Sequence, residues 1–178
     1  NGNEYPVIYL LHGYSDDHKG WAKKGVTGGL ADLYDIVFVL PDGGFDSWYF
    51  DSTFTPEYQY ETFVSKELVS YIDNHYKTVR DRSARAITGL SMGGHGALFL
   101  AFRHQDVFGS AGSMSGGVDI RPFPENWNIA ARIGSKEEYP ENWEKNTVIN
   151  LTHLLNPDSL NLIFDCGTED FFFEVNCN

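Results

Sequence analysis

The segment Gly89-Leu90-Ser91-Met92-Gly93 has the residue types and spacing of a nucleophile elbow, a sharp strand-to-helix turn that pushes a serine hydroxyl clear of the backbone. A hydroxyl held that way can attack a carbonyl carbon and carry the acyl group as an ester, which is acyl-transfer chemistry. Strand and helix nearly touch at such a turn, so the positions two residues to either side must be small. Gly89 and Gly93 meet that demand, and Gly94 and Gly96 carry it into the first helical turn. Alone, the five residues read equally well as a glycine-rich turn without chemistry. The strand-like Ala86-Ile87-Thr88 before them and the Ala- and Leu-rich stretch after them favour catalysis at Ser91.

Attack on a carbonyl builds negative charge on its oxygen, and hydrogen-bond donors must be waiting for it. The N–H of Met92, at the start of the following helix, is one such donor, helped by the helix dipole. The second is the N–H of Tyr14, where Gly13 lets the chain turn after the first strand; His12 beside it reads as structural rather than catalytic. A serine hydroxyl is almost never ionised at neutral pH, so a histidine must take its proton and an acid must orient that histidine. In the chain order nucleophile, acid, base, the acid belongs after a later strand. Residues 160–165 form that strand, and Asp170 in the loop behind it is the first choice, with Asp165 and Glu169 as rivals. The six histidines are His12, His18, His75, His95, His104 and His153. All precede Asp170, and none occupies the expected place of the base.

The elements that must position these groups alternate between strand and helix, the pattern of a mostly parallel sheet with helices on both faces. Apolar runs at residues 5–11, 36–40, 85–88, 110–114 and 160–164 read as strands, most of them cut off by Gly or Pro as doubly buried strands are. Residues 58–76 carry Tyr60, Phe63, Val64, Leu68, Tyr71, Ile72 and Tyr76 on one side, an amphipathic helix whose aromatic stripe belongs to the core. A second helix is expected over residues 91–104, and a third, interrupted at Gly20, Gly25 and Gly28-Gly29, over residues 16–33. Residues 118–150 are polar, repeat Pro-Glu-Asn-Trp twice and lack strand character, and read as a lid-like excursion roofing the site of a single domain.

Composition narrows the function classes. The net charge of −12 weighs against nucleic acid, which needs clustered Lys and Arg. No apolar run approaches the roughly 20 residues of a membrane-spanning helix, so a soluble protein without a membrane partner is expected. Cys166 and Cys177 are too few for a disulfide scaffold and read as free thiols. No His-Glu-x-x-His cluster or glycine-rich phosphate loop occurs, so neither a metal nor any other cofactor is expected. The compartment is not legible, with a secreted or periplasmic setting favoured over a cytoplasmic one.

Four stretches together resemble the esterase D and tributyrin esterase branch of the α/β-hydrolases: PVIYLLHGYSDDHKGW (6–21), VLPDGGFDSWYFDS (39–52), ITGLSMGGHGAL (87–98) and FDCGTEDFFFEVN (164–176). That branch includes S-formylglutathione hydrolases, the feruloyl and acetyl-xylan esterases of carbohydrate esterase family 1, and mycolyltransferases. The resemblance implies an α/β-hydrolase fold with Ser91 as nucleophile, Asp170 as triad acid, and Tyr14 and Met92 as oxyanion donors. It also implies a Gly-His segment some tens of residues after the acid, so the chain reads as a domain trimmed at both ends. A trimmed sheet would expose an apolar edge, which leaves a homo-oligomer open. Trp48 and Trp21 are the first candidates for a substrate pocket, with Tyr49, Trp127 and Trp143 behind them, since aromatic faces suit sugar rings and phenolic acyl groups. The leading expectation is a carboxylesterase acting on short acyl, acetyl or feruloyl esters of a small-molecule or carbohydrate substrate, including plant polysaccharide. Its alternatives are an acyltransferase, or a catalytically incompetent fragment or carbohydrate-binding module.

Overall fold

Among the described residues, apolar runs and one stretch of small residues (Ser110–Met114) form five strands, and the stretches between them supply the helices. The computed structural model describes residues 2–177. Its first half runs β1 (Val7–Leu11), α1 (Lys19–Lys23), α2 (Val26–Tyr34), β2 (Val37–Val39), α3 (Tyr60–Thr62), a π-helical segment (Phe63–Leu68) and α4 (Val69–His75). Then come β3 (Arg85–Leu90), α5 (Met92–Arg103), β4 (Ser110–Met114), α6 (Ile129–Ile133), α7 (Pro140–Asn146), a 3₁₀ segment (Val148–Leu154), β5 (Asn161–Asp165) and α8 (Phe173–Cys177). The strands form one sheet in the order β2-β1-β3-β4-β5, and every neighbouring pair is parallel.

Parallel pairing puts all the carboxyl ends on one edge of the sheet, where the loops after β1, β3 and β5 meet. The register makes this concrete: Leu11 pairs with Gly89, Leu90 with Met114, and Met114 with Asp165. Side chains alternate along a strand, so Tyr9, Ile87 and Ala111 share one face in register, and all three are buried. Helix α5 packs across β1, β3 and β4 and is buried from Met92 to Phe102, which is why it is apolar or small all round.

Two expectations need correction. The strand at residues 160–164 was expected to be covered on both faces, yet all five residues of β5 are exposed, Ile163 at 75% and Phe164 at 69%. Among the described residues β5 stands at the edge of the sheet, pairs with β4 alone, and is the exposed apolar edge that was also expected. The expected stripe of residues 58–76 holds through Val64 and Ile72, with Phe63 and Leu68 half-buried against the core, but Tyr71 and Tyr76 lie outside it. The π-helical segment adds a residue to its turn and rotates everything after it off the 3.6-residue register. Tyr71 stacks instead on His75 of its own helix, with ring centroids 4.0 Å apart.

The excursion between β4 and β5 is partly core: Ile120, Ile129, Ile133, Trp143, Val148 and Leu151 are all buried. Among the described residues no helix is long and apolar enough to cross a membrane. Cys166 and Cys177 are free thiols.

Candidate active site

Ser91 occupies the bend between β3 and α5 with φ 56° and ψ −117°, a conformation that costs a non-glycine residue about 1–3 kcal/mol. Its neighbours explain how the bend closes. A Cβ on Gly89 would lie 2.4 Å from the Gly93 carbonyl oxygen, and one on Gly93 would lie 2.5 Å from that of Leu11. Backbone therefore touches backbone on both sides of the serine. The Ser91 N–H donates to the Met114 carbonyl at 2.9 Å, and the Ser91 carbonyl accepts from the His95 N–H at 3.0 Å, so strand and helix both anchor the turn.

The loop after β1 lies alongside. Gly13 is close enough that a Cβ there would sit 3.6 Å from the Ser91 Cβ. Among the described residues, the Tyr14 N–H finds no acceptor. The N–H of Met92, first residue of α5, has no partner within the helix either. Both expected oxyanion donors are thus unspent. The loop is fixed from below: buried His12 accepts the Gly43 N–H on Nε2 at 2.8 Å and turns Nδ1 toward the Gly13 carbonyl at 2.8 Å. Asp42 lies 3.9 Å from the same Nε2. The Tyr49 hydroxyl donates to the His12 carbonyl at 3.0 Å. Burial pushes that phenol well above its ordinary pKa and keeps it a donor.

A cleft of about 290 Å³ joins these parts, lined by Gly13, Tyr14, Asp16, Leu90, Ser91, Trp127, Asp170, Phe171 and Phe172. Asp170 therefore shares a cleft with Ser91 and Tyr14, whereas its rivals Asp165 and Glu169 do not line it. The Asp170 Oδ1 accepts the Phe172 N–H at 2.9 Å, a short turn that fixes the side chain. Neither Trp48 nor Trp21 reaches the cleft. Trp48 is 1% exposed, with its N–H 3.4 Å from the Met92 sulfur and its indole N–H donating to the Trp127 carbonyl at 3.0 Å. Trp21 spends its indole N–H on the Leu11 carbonyl at 2.9 Å and anchors the end of β1. Trp143 is core, and Tyr49 is buried beneath the loop. Trp127 is the tryptophan that forms a wall, in contact with Phe123 and Phe172. Phe171 and Phe172 form another; the sequence reading missed them, and their position directly after Asp170 was the signal that could have found them.

Among the described residues no histidine lines the cleft. His104 bonds Glu61 at 2.8 Å, His18 lies beside Asp42, His75 stacks on Tyr71 and His153 bonds the Asn150 carbonyl. His95 is fully buried behind the elbow, with Nδ1 2.8 Å from the Gly117 carbonyl and aromatic neighbours in Trp48, Phe50 and Phe99. Burial lowers its pKa from 6.5 to about 4, against a smaller upward pull from hydrogen bonds to backbone. The unfolded chain takes up this proton near the ordinary value, so His95 adds nothing to the pH dependence of stability above about pH 6.5. Stability is expected to fall by about 3 kcal/mol between about pH 6.5 and about pH 4. Urea melts across that window should lose much of this slope in His95→Gln; an unchanged slope would contradict the assignment.

The sequence profile of the family described as "Putative esterase" matches residues 1–178. Esterase Rv1288 of Mycobacterium tuberculosis (strain ATCC 25618 / H37Rv) is 36% identical over 126 residues, which are 68% of this chain and 27% of that one. The diacylglycerol acyltransferase/mycolyltransferase Ag85B of Mycobacterium leprae (strain TN) is 31% identical over 188 residues, 93% of this chain and 56% of that one. A solved structure of a ferulic acid esterase aligns with a TM-score of 0.78 at 30% identity, covering 98% of this chain and 70% of that one. The chain thus spans 27% of the length of the first of these relatives and 56% of the second.

Proposed function

Because the chain belongs to this esterase family and has its α/β-hydrolase fold, we propose that it carries the core of a serine carboxylesterase that works through an acyl-enzyme at Ser91. Its substrates are short acyl, acetyl or feruloyl esters, those of plant polysaccharide included. One observation carries the reading: Ser91, at φ 56° in a bend with no room for flanking side chains, shares a cleft with Tyr14 and Asp170.

The chemistry follows from those positions. The Ser91 Oγ attacks the ester carbonyl carbon, and the electron pair of the C=O bond moves onto oxygen, which the Met92 and Tyr14 N–H groups receive. The serine proton passes to a histidine base and from it to the departing alcohol as the carbon–oxygen bond breaks. Water then attacks the acyl-serine by the same route, releasing the carboxylic acid and restoring the hydroxyl. In this reading Asp170 orients that histidine, a place that none of the six histidines of this sequence takes at the cleft. The aromatic walls at Tyr14, Trp127, Phe171 and Phe172 suit a flat, phenolic acyl group.

A fluorophosphonate probe tests the reading. Full-length protein should be labelled at Ser91 and lose ester turnover in proportion; unlabelled protein that still cleaves ester would remove Ser91 from the mechanism. A second reading, transfer of the acyl group to a sugar hydroxyl instead of water, draws on the likeness to the mycolyltransferase across 93% of this chain. Supplying a sugar acceptor decides between them: hydrolysis yields free acid in constant proportion, whereas transfer diverts acid into acylated sugar.

A further inference from the structure

The loop after β2 grips the start of α6 through contacts that converge on the turn bearing Trp127. Asp46 is 5% exposed, and its Oδ2 accepts from Asn128 Nδ2 at 3.0 Å and from the Arg132 guanidinium at 3.1 Å. Two residues on, Trp48 donates its indole N–H to the Trp127 carbonyl at 3.0 Å. Arg132 is itself held, its guanidinium 3.9 Å from the Tyr58 ring centroid and donating to the Thr55 hydroxyl at 2.8 Å. Both sides of the contact are strained, with Trp48 and Tyr49 at φ 53° and 60°, and Trp127 and Asn128 at φ 49° and 54°.

Four consecutive-pair residues in the left-handed region, none of them glycine, persist only where surrounding contacts over-determine them. A buried carboxylate is a poor way to gain stability, because desolvation offsets much of its attraction to arginine. The other Asp46 oxygen, Oδ1, is buried without a hydrogen-bond partner, so the charge is not fully repaid in hydrogen bonds. What the arrangement does provide is a fixed position for one ring. We propose that Asp46, acting through Asn128 and Arg132, is a positioning residue that sets Trp127 as the selectivity wall of the Ser91 cleft. The proposal rests on the reading of Ser91 as the nucleophile.

The wall matters most to a bulky acyl group and little to an acetyl group. The test compares kcat/KM for nitrophenyl ferulate and nitrophenyl acetate in full-length parent, Asp46→Asn, Asn128→Gly and Trp127→Ala. Asn128→Gly keeps the left-handed turn and removes only the bond to Asp46, so it remains informative if Asp46→Asn folds poorly. In both Asp46→Asn and Asn128→Gly the ferulate-to-acetate ratio should change by about tenfold, through KM for the ferulate. Combining either with Trp127→Ala should add nothing further, because both act on one wall. An unchanged ratio, an equal fall in kcat for both esters, or additive effects with Trp127→Ala would overturn the proposal. A parent protein that takes no fluorophosphonate and cleaves neither ester would overturn the Ser91 reading, and this proposal with it.

Discussion

Ser91→Ala in the full-length protein should lower kcat for ester hydrolysis by about ten-thousandfold or more while the melting temperature stays near the parent's. The two halves of that result have separate causes. The substitution removes one oxygen, the atom that would bond to the acyl carbon, and without it no acyl-enzyme forms. It leaves the backbone as it was: alanine at φ 56° is no easier to hold than serine, and the anchors to Met114 and His95 are main-chain bonds. Residual turnover would come from the Met92 and Tyr14 N–H groups polarising a bound ester toward water. KM should change little. Parallel measurements of nitrophenyl acetate hydrolysis, fluorophosphonate labelling and thermal melting check it. Turnover equal to the parent's would end the assignment, and loss of the fold would show that the hydroxyl has a structural task.

Gly93→Ala should be among the most damaging of the smallest changes to the fold. One added methyl would lie 2.5 Å from the Leu11 carbonyl oxygen, 2.6 Å from that of His12 and 2.7 Å from the Leu11 carbonyl carbon. All three are main-chain atoms, so no rotamer change relieves the clash, and β1 must separate from α5. Overpacking of a tight core costs about 1–3 kcal/mol where side chains can adjust, and this site offers only backbone, so about 3 kcal/mol or more is expected. The displaced atoms immediately precede Gly13 and Tyr14, so the folded fraction should also lose kcat as one oxyanion donor moves. Denaturant melts read the first effect, and turnover normalised to labelled Ser91 reads the second. A variant as stable and as active as the parent would mean that strand and helix are not in contact there.

Much of this was legible because it is local. Gly89 and Gly93 flank Ser91 at the spacing the bend demands, and the apolar runs of β1, β3 and β4 stop at the turns that end them. Tyr14 follows from Gly13 at the end of β1, and Asp170 from its place behind the last strand. What escaped depends on partners far along the chain. Ile163 and Phe164 read as interior residues by their letters, although an exposed apolar edge was expected of the sheet, and the strand order shows that β5 is that edge. Nothing in residues 60–75 announces a π-helical segment, so Tyr71 and Tyr76 were assigned to a face they have rotated away from. Trp48 and Trp127 are alike as letters in irregular segments. Their two left-handed turns, which no composition reveals, bury one ring and leave the other as a wall.

The crowding at Gly89 and Gly93 also divides the molecule by how freely each part can be rewritten. A bend with no slack would leave natural selection few viable variants, so the Ser91 hydroxyl, if it is the one that reacts, would be inherited as a fixed module. The helical excursion is tied to that module by Ile120, Ile129, Trp143 and Leu151 in the shared core, so only its outer residues would drift without disturbing the bond-making atoms. Diversity of esters across such proteins would then accumulate around the mouth of the cleft, while the floor stays the same.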